Sequence, residues 1–593
     1  MSEDISRRSL LYTASVLGSS AIAGCGSRGD GGGESSTAEG TATPAGGLVF
    51  DELALAELTL TEGETLRVTA QVENTAASSI EMEVPLEVGG RRLTTQPIEV
   101  GAGKTERVEF TATIETTGTQ QVSFGREPVG EVVVRAAWPD RVRDIGAHYY
   151  PWYGAPIHDW RDGEWSLESP STPVLGNYNS ADPAVIEQHI DWCRQAGVSW
   201  LNVSWWGEYS RHDDRIREDI LAHPRASELD WSILYETTGL LGSDPVQIHE
   251  EPHRQRFIDD VSYLADTYFS HDSYKHIDDR PVLYVWVGQN LRGDVTATYE
   301  AAVEAAGVRP YLITDIIPYS GINTHPIAEA ADAVTTYLPY DADGESAAEF
   351  TDGLESMYRS WYRAGEYAGV DLVPTAIPGF DDTELTHDPR NNTPLEPTPE
   401  LYEATGEIAR KYADGPVLVT SFNEWYEDTE IEPGEDHGEA YLDVTAETLA
   451  SAPCEPPAFD GDIFTLTFER LVQESEMNPD VERGRKLSFM LYGLTVRGAG
   501  GETVLDTDVG SNTETGEFLL GAYGREGSRD DSWRWLGGER ETVVQVPTLP
   551  ATGTIEITGM AAAEMNVALS VDDKSVAETT VTTQMDTHAL SFE

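Results

Sequence analysis

Cysteine is nearly absent: the 593 residues hold three, Cys25, Cys193 and Cys454. Cys193 falls in a predicted helix and Cys454 in a proline-flanked linker, so no structural disulfide is expected and stability must come from packing. Lysine is almost as scarce, with Lys104, Lys275, Lys411, Lys486 and Lys574 the whole complement, and Lys plus Arg reach only 39 against 104 Asp plus Glu. The net charge of -65 excludes a protein that holds nucleic acid through a basic surface. No stretch offers eighteen uninterrupted apolar residues, so no spanning helix is expected. Neither a phosphate-binding glycine loop, a metal-ligand spacing nor a Ser-His-Asp motif is found, so no cofactor and no metal are expected, and His148 and His158 read as hydrogen-bonded histidines rather than ligands. No solenoid-length repeat is evident.

What is present is enough to fold. Hydrophobic residues make up 39 % and aromatic residues 9 %, with 14 Trp, and the length implies about three to five modules. Acids spread evenly along the chain resemble the surfaces of proteins from brine, where salt screens a dense carboxylate shell to within a few ångströms. Residues 1–25 read as an export signal: Ser6-Arg7-Arg8-Ser9-Leu10-Leu11 is a twin-arginine start, and Ile22-Ala23-Gly24-Cys25 resembles a lipoprotein box that would lipidate Cys25 and tether the chain to the outer membrane face. Residues 26–47 are a Gly/Ser/Thr linker. Alternating runs such as Leu66 to Val72 predict an immunoglobulin-like β-sandwich over 48–138, read as a spacer.

Between residues 141 and 450 short apolar runs alternate with helical stretches. The predicted strands are Ile145 to Tyr149, Val198 to Ser204, Trp231 to Glu236, Pro281 to Trp286, Tyr311 to Thr314, Ala333 to Tyr337, Leu372 to Ala376 and Val417 to Phe422. The predicted helices include Pro183 to Ala196, Arg254 to Tyr268, Ala297 to Ala306, Ala347 to Ala368 and Pro399 to Tyr412. Eight strands in this alternation predict a (β/α)8 TIM barrel, whose chemistry sits at the strand C-terminal ends. A second β-sandwich is predicted over 458–593; its Tyr523, Trp533 and Trp535 read more readily as core than as a sugar-stacking surface.

Three features sit at predicted strand ends. The first strand runs into Tyr149-Tyr150-Pro151-Trp152-Tyr153-Gly154, with Trp160 and Trp165 beyond, and the second into Trp205-Trp206; aromatic faces stack on the C–H bonds of a sugar ring. The eighth ends in Ser421-Phe422-Asn423-Glu424-Trp425-Tyr426-Glu427-Asp428-Thr429-Glu430-Ile431-Glu432. Two glutamates three apart, separated by bulky aromatics, suit glycosyl transfer, where one carboxyl must be protonated while the other is ionised.

This last run resembles the signature of glycoside hydrolase family 99, the endo-α-mannosidases and endo-α-mannanases, which is close to S-F-N-E-W-H-E-G-T-Q-I-E. Leu175 to Pro183, Ala196-Gly197-Val198, Ser204-Trp205-Trp206 and Pro389-Arg390-Asn391-Asn392 fall in the same order as in that family. The resemblance implies a retaining endo-acting α-glycosidase without a glycosyl-enzyme. Glu424 would be the base that lets the sugar 2-oxygen close a 1,2-anhydro ring; Glu427 would be the acid, with a raised pKa. It also implies that Glu236 contacts substrate hydroxyls and that Tyr149, Tyr150, Trp152, Trp205, Trp206, Tyr337, Arg390, Asn423, Trp425 and Tyr426 belong to the substrate site. The family's His and Gly are Tyr426 and Asp428 here. The expected partner is an oligo- or polysaccharide; the alternatives are a non-catalytic glycan-binding surface lipoprotein and a glycosyltransferase-like envelope protein on the same barrel.

Overall fold

A computed structural model describes residues 47–56, 59–125, 127–135, 144–154, 165, 170–243, 245–318, 320–322, 324–340, 346–385, 392–450, 461–478, 485–509, 517–528, 531–572 and 574–593. The proposed signal, Cys25, the linker up to residue 46, Cys454, His158, Trp160, Arg390 and Asn391 lie outside the described residues. Two compact units divide the chain near residue 139.

The second unit begins with a run of parallel strands. They are β1 (Ile145–Tyr149), β2 (Trp200–Trp205), β3 (Asp230–Tyr235), β4 (Arg280–Val285), β5 (Tyr311–Asp315), β6 (Ala333–Thr335), β7 (Asp371–Leu372 continued by Thr375–Ala376) and β8 (Val417–Val419). Each pairs with the next in parallel, and β8 returns to β1 through Val417 opposite Ile145 and Val419 opposite Ala147, closing an eight-stranded barrel. Strands covered on both faces read as unbroken apolar runs, and every residue of β1 and β2 is buried. Glycine at 146 is dictated by packing, since a Cβ there would lie 2.3 Å from the indole of Trp200 on the neighbouring strand.

The helices between strands start and stop where their caps stand. Asp182 accepts from the Ala184 N–H ahead of Pro183–Ala196, and Gly197 ends that helix at φ 77°. Ser346 and Glu349 form a reciprocal capping box at the head of Ala347–Ala368, and Thr398 caps Pro399–Lys411. The stretch expected as one helix from Arg254 to Tyr268 is an α-helix, His253–Leu264, running into a π-helical turn, Ala265–Phe269.

Strand alternation sorts the side chains of the barrel into two sets. Gly146, His148 and Tyr150 face inward, as do Trp200, Asn202 and Ser204. Inside, Ser232 Oγ donates to Asn202 Oδ1 at 2.8 Å, Asn202 Nδ2 meets His148 Nδ1 at 3.1 Å, and the His148 ring lies 4.9 Å from that of Tyr284. Burial lowers the His148 pKa to about 3, so this interior histidine is neutral. Tyr149, Trp205 and Tyr235 face the helices.

Beyond the barrel, a five-stranded and a seven-stranded sheet enclose one apolar core that includes Phe464, Leu466, Phe489, Leu494, Val544 and Ile557. Tyr523 and Trp535 are buried with Leu487, while Trp533 packs on that cluster partly buried. In the separate N-terminal unit, a three-stranded and a five-stranded sheet share a core including Leu66, Val68, Val84, Leu86, Phe110 and Phe124.

Candidate active site

The loop that leaves β8 is closed on itself. Ser421 N–H donates to Thr429 O at 2.7 Å, Ile431 N–H to Ser421 O at 2.9 Å and Glu432 N–H to Phe422 O at 2.8 Å, so residues 421–432 form a pinned turn at the C-terminal mouth of the barrel. Within it, Ser421 Oγ accepts from Glu424 N–H at 2.7 Å, and Glu424 Oε1 accepts from Tyr426 N–H at 3.3 Å. Asp381 N–H donates to Glu427 O at 2.8 Å, tying the turn to the segment that follows β7. Asp428 stands at φ 51°, a left-handed conformation that Asp tolerates and Gly adopts freely, which accounts physically for glycine at that place in the related run.

Asn423 locks this turn to the end of β1. Its Oδ1 accepts from Tyr150 N–H at 2.7 Å and its Nδ2 donates to Tyr150 O at 3.0 Å. Tyr150 OH then donates to Tyr337 OH at 2.8 Å. Tyr337 is itself held from two sides: its N–H donates to Asp315 Oδ1 at 2.7 Å, and its carbonyl accepts from Thr420 Oγ1 at 2.7 Å. Four barrel strands thereby fix one pair of phenols.

Electrostatics locate the carboxyls around that pair. Burial raises the Tyr150 pKa well above its usual value, and the charges of Glu424, Glu236 and Glu427 raise it further. For Tyr337 the same follows from burial, Tyr150, Glu427 and Glu424. Glu236, leaving β3, is raised to about 8 by burial and by the charge of Glu427, against the hydrogen bond from Ser204. The structure therefore brings Glu236, Glu424, Glu427, Tyr150 and Tyr337 to one cleft. Trp152, its ring 4.4 Å from that of Tyr150 and 6.4 Å from that of Tyr426, and Trp206 are half-buried beside it.

Four expected groove residues are elsewhere. Tyr149 points into the helix layer, its OH 3.0 Å from His189 Nδ1 and its ring against Phe422 and Trp231. Trp205 does likewise, donating Nε1–H to Asp213 Oδ1 at 2.9 Å and stacking on Tyr263. The cause is parity: each directly adjoins an inward residue and so faces outward. Trp425 is fully buried, with Nε1–H donating to Glu432 Oε2 at 2.9 Å. Asn423 spends its amide on Tyr150 and Tyr178, so it braces the site rather than lining it.

Other residues that build the site were not singled out from the sequence: Ser204 and Glu432 lie inside quoted runs without an assigned role, and Asp315 lies in none. Ser204, Asp315 and Glu432 sit at or just beyond strand ends on inward or buried positions; only the strand parity and the closed barrel single them out. Glu432 is the hub, accepting from Tyr178 OH at 2.7 Å as well as from Trp425, with His189 Nε2 3.1 Å away. Among the described residues no cluster of three His, Cys, Asp or Glu side chains is arranged to hold a metal ion.

The arrangement, two glutamates on one pinned turn facing a third carboxyl and aromatic walls at the strand C-terminal ends, is suited to acid–base chemistry on a sugar. The family model "Glycosyl hydrolase family 99" matches residues 166–446, and β1 with Tyr150 lies ahead of the matched range. Glycoprotein endo-alpha-1,2-mannosidase of Mus musculus is 25 % identical over 329 residues, 49 % of this chain and 67 % of that one. A glycoprotein endo-alpha-1,2-mannosidase-like protein of Homo sapiens is 24 % identical over 335 residues, 49 % of this chain and 68 % of its own. Among solved structures, a GH99 endo-alpha-mannosidase from Bacteroides thetaiotaomicron aligns at 20 % identity over 52 % of this chain and 96 % of that one, with a TM-score of 0.39. The chain thus carries a glycoside hydrolase family 99 domain over residues 166–446 and is a glycoside hydrolase.

Proposed function

We propose that this protein is a retaining, endo-acting α-glycosidase of endo-α-mannosidase type, working through a 1,2-anhydrosugar. The observation that carries the reading is the placement of Glu424 and Glu427 on one turn locked to the Tyr150–Tyr337 pair. Glu424 takes the proton of the sugar 2-hydroxyl, and the freed oxygen displaces the aglycone from C1 while Glu427 protonates the leaving oxygen. In the second step Glu427 takes a proton from water, the water oxygen attacks C1 and opens the three-membered ring, and Glu424 returns its proton to O2. Two inversions at C1 give net retention. Tyr150, Tyr337, Trp152, Trp206 and Tyr426 form the walls, and Arg390 joins them through the family resemblance.

The sequence also supports an address. Twin-arginine export and a lipid on Cys25 would hold the enzyme on the outer face of the membrane, with the N-terminal sheet pair as an immunoglobulin-like spacer; no helix among the described residues is long and apolar enough to cross a membrane. Cys25→Ala then releases the protein to the medium, which cell fractionation reads directly.

Proton NMR of the purified protein with α-mannans in molar salt tests the chemistry. An α-configured oligosaccharide product is expected. Glu424→Gln and Glu427→Gln each lower kcat by about a thousandfold or more while binding persists in calorimetry. Wild-type rates in Glu427→Gln would sink the assignment, and binding without cleavage by the native protein would mark a glycan receptor instead.

A further inference from the structure

Glu236 has an environment unlike that of the other two cleft glutamates. It leaves β3 where Tyr235 pairs with Trp205 of β2, which brings its side chain beside Ser204, the inward residue of the next strand. It is only 3 % exposed, and among the described residues it forms no salt bridge, its side-chain hydrogen bond being the one from Ser204. Burial of a carboxyl without a salt bridge favours its neutral acid.

The hydrogen bonds around it have a direction. Trp206 Nε1–H can only donate, and it donates to Ser204 Oγ at 2.8 Å. The single hydroxyl proton of Ser204 therefore goes onward, to Glu236 Oε1 at 2.6 Å. Behind the indole stands His212, its ring 5.8 Å away and its pKa lowered to about 3 by burial and by Arg211 and Arg215, so the relay starts from an uncharged neighbour. With Oε1 committed as an acceptor, the proton of a neutral Glu236 resides on Oε2, which has no hydrogen-bond partner among the described residues. The charged and titratable groups that face it are Glu427, from the turn after β8, and Tyr150, after β1. An ionised Glu427 disfavours a second negative charge, and where Glu427 carries its proton as the acid of the first step, burial alone holds Glu236 neutral.

We propose that Glu236 serves as a neutral carboxylic acid whose Oε2–H donates a hydrogen bond to a hydroxyl oxygen of the glycan in the cleft, and that Ser204, set by Trp206, is the positioning residue that turns that oxygen outward. The proposal rests on the glycosidase reading for its substrate, and it deepens it: the sugar must present an acceptor oxygen opposite Glu236. Above about pH 8 the donor becomes an anion and repels that oxygen, so substrate binding weakens at alkaline pH.

The test uses the full chain in molar salt, with kcat and KM on α-mannan measured from about pH 6 to about pH 9.5, together with infrared difference spectra. In the native protein KM rises about tenfold per pH unit above about 8. Glu236→Gln keeps an acceptor for Ser204 and places an N–H donor where the O–H was. It therefore loses less kcat/KM at pH 6 than Glu236→Leu, which offers no donor, and it loses the alkaline limb. Ser204→Ala raises KM more than kcat falls and moves the limb to higher pH, because the lost hydrogen bond had favoured the anion; a merely structural role for Ser204 leaves the limb where it is. The native-minus-Glu236→Gln infrared spectrum at pH 7 shows the carbonyl stretch of a carboxylic acid. A loss at pH 6 in Glu236→Gln as large as that in Glu236→Leu, an unchanged limb in Glu236→Gln, or carboxylate bands in the difference spectrum overturns the proposal. A protein that cleaves no glycan refutes the glycosidase reading, while the infrared result still decides the state of Glu236.

Discussion

A single side chain in the turn after β8 carries a measurable liability. Glu430 is buried, its Oε2 has no hydrogen-bond partner in good geometry among the described residues, and its pKa is raised well above the ordinary carboxylate value by burial and then by the charges of Asp428 and Glu432, against a weaker pull from Ser171. Because the folded pKa exceeds the unfolded one of 4.5, the folded state holds its proton more tightly. Its contribution is then fully present below pH 4.5 and is lost as pH rises toward the folded value. Gln, which the related family run has at this place, removes that dependence. Glu430→Gln is expected to match the native protein in stability near pH 4 and to gain about 1.4 kcal/mol for each pH unit above about 4.5 until the buried acid ionises. Chemical denaturation at several pH values reads this, and a pH-independent difference would refute it. At this scale the proposed catalytic pair was legible as a candidate, since Asn-Glu-Trp and a second Glu three residues on stand out among the acids. The raised pKa of Glu236 was not, because it comes from burial inside the closed barrel and from a glutamate on a distant turn.

Between elements, the strongest dependency is the amide bridge from the β8 turn to β1. Asn423 satisfies both the N–H and the C=O of Tyr150, which is buried and sits at a strand end where no ladder continues. Asn423→Ala leaves both groups without partners, at about 1–3 kcal/mol each. We expect a stability loss of about 2–5 kcal/mol in denaturant titrations, and a fall in kcat larger than the change in KM, because Glu424 loses its bracing while the walls remain. The eight strands were legible because doubly covered parallel strands are short apolar runs, and the helix Ala347–Ala368 because Ser346, Glu349 and Gly369 mark its ends. Which aromatics face the cleft was not. Tyr149 and Tyr150 are chemically alike, and one residue of register sends the first to His189 and the second to Tyr337.

For the whole molecule, charge is the governing quantity. A net charge of -65 on 593 residues makes the folded state self-repelling at low ionic strength. Raising KCl from about 0.1 M to about 2 M shortens the screening length from about 10 Å to below 3 Å, so the melting temperature is expected to climb across that range. A melting temperature independent of salt would show that the acids are dispersed widely enough for their repulsion not to matter. Because the N-terminal sheet pair has its own core, with Val68, Leu86 and Phe110 fully buried, it contributes a transition of its own to a calorimetric scan.

Sequence alone determined whatever is local or periodic: the alternation of strands and helices, the caps, the acid excess and the glutamate pair in Asn423 to Glu427. Those signals arise from neighbouring residues and from the repeat of burial along one element. Tertiary structure decided what depends on residues far apart in the chain. Closure of β8 on β1 set the inward parity and so separated cleft aromatics from packing aromatics. Pairing of β2 with β3 put Ser204 beside Glu236, and the turn after β8 put Glu427 in the same cleft. A carboxyl's charge state is the sum of its desolvation and its neighbours' fields, and those neighbours come together only when the barrel closes.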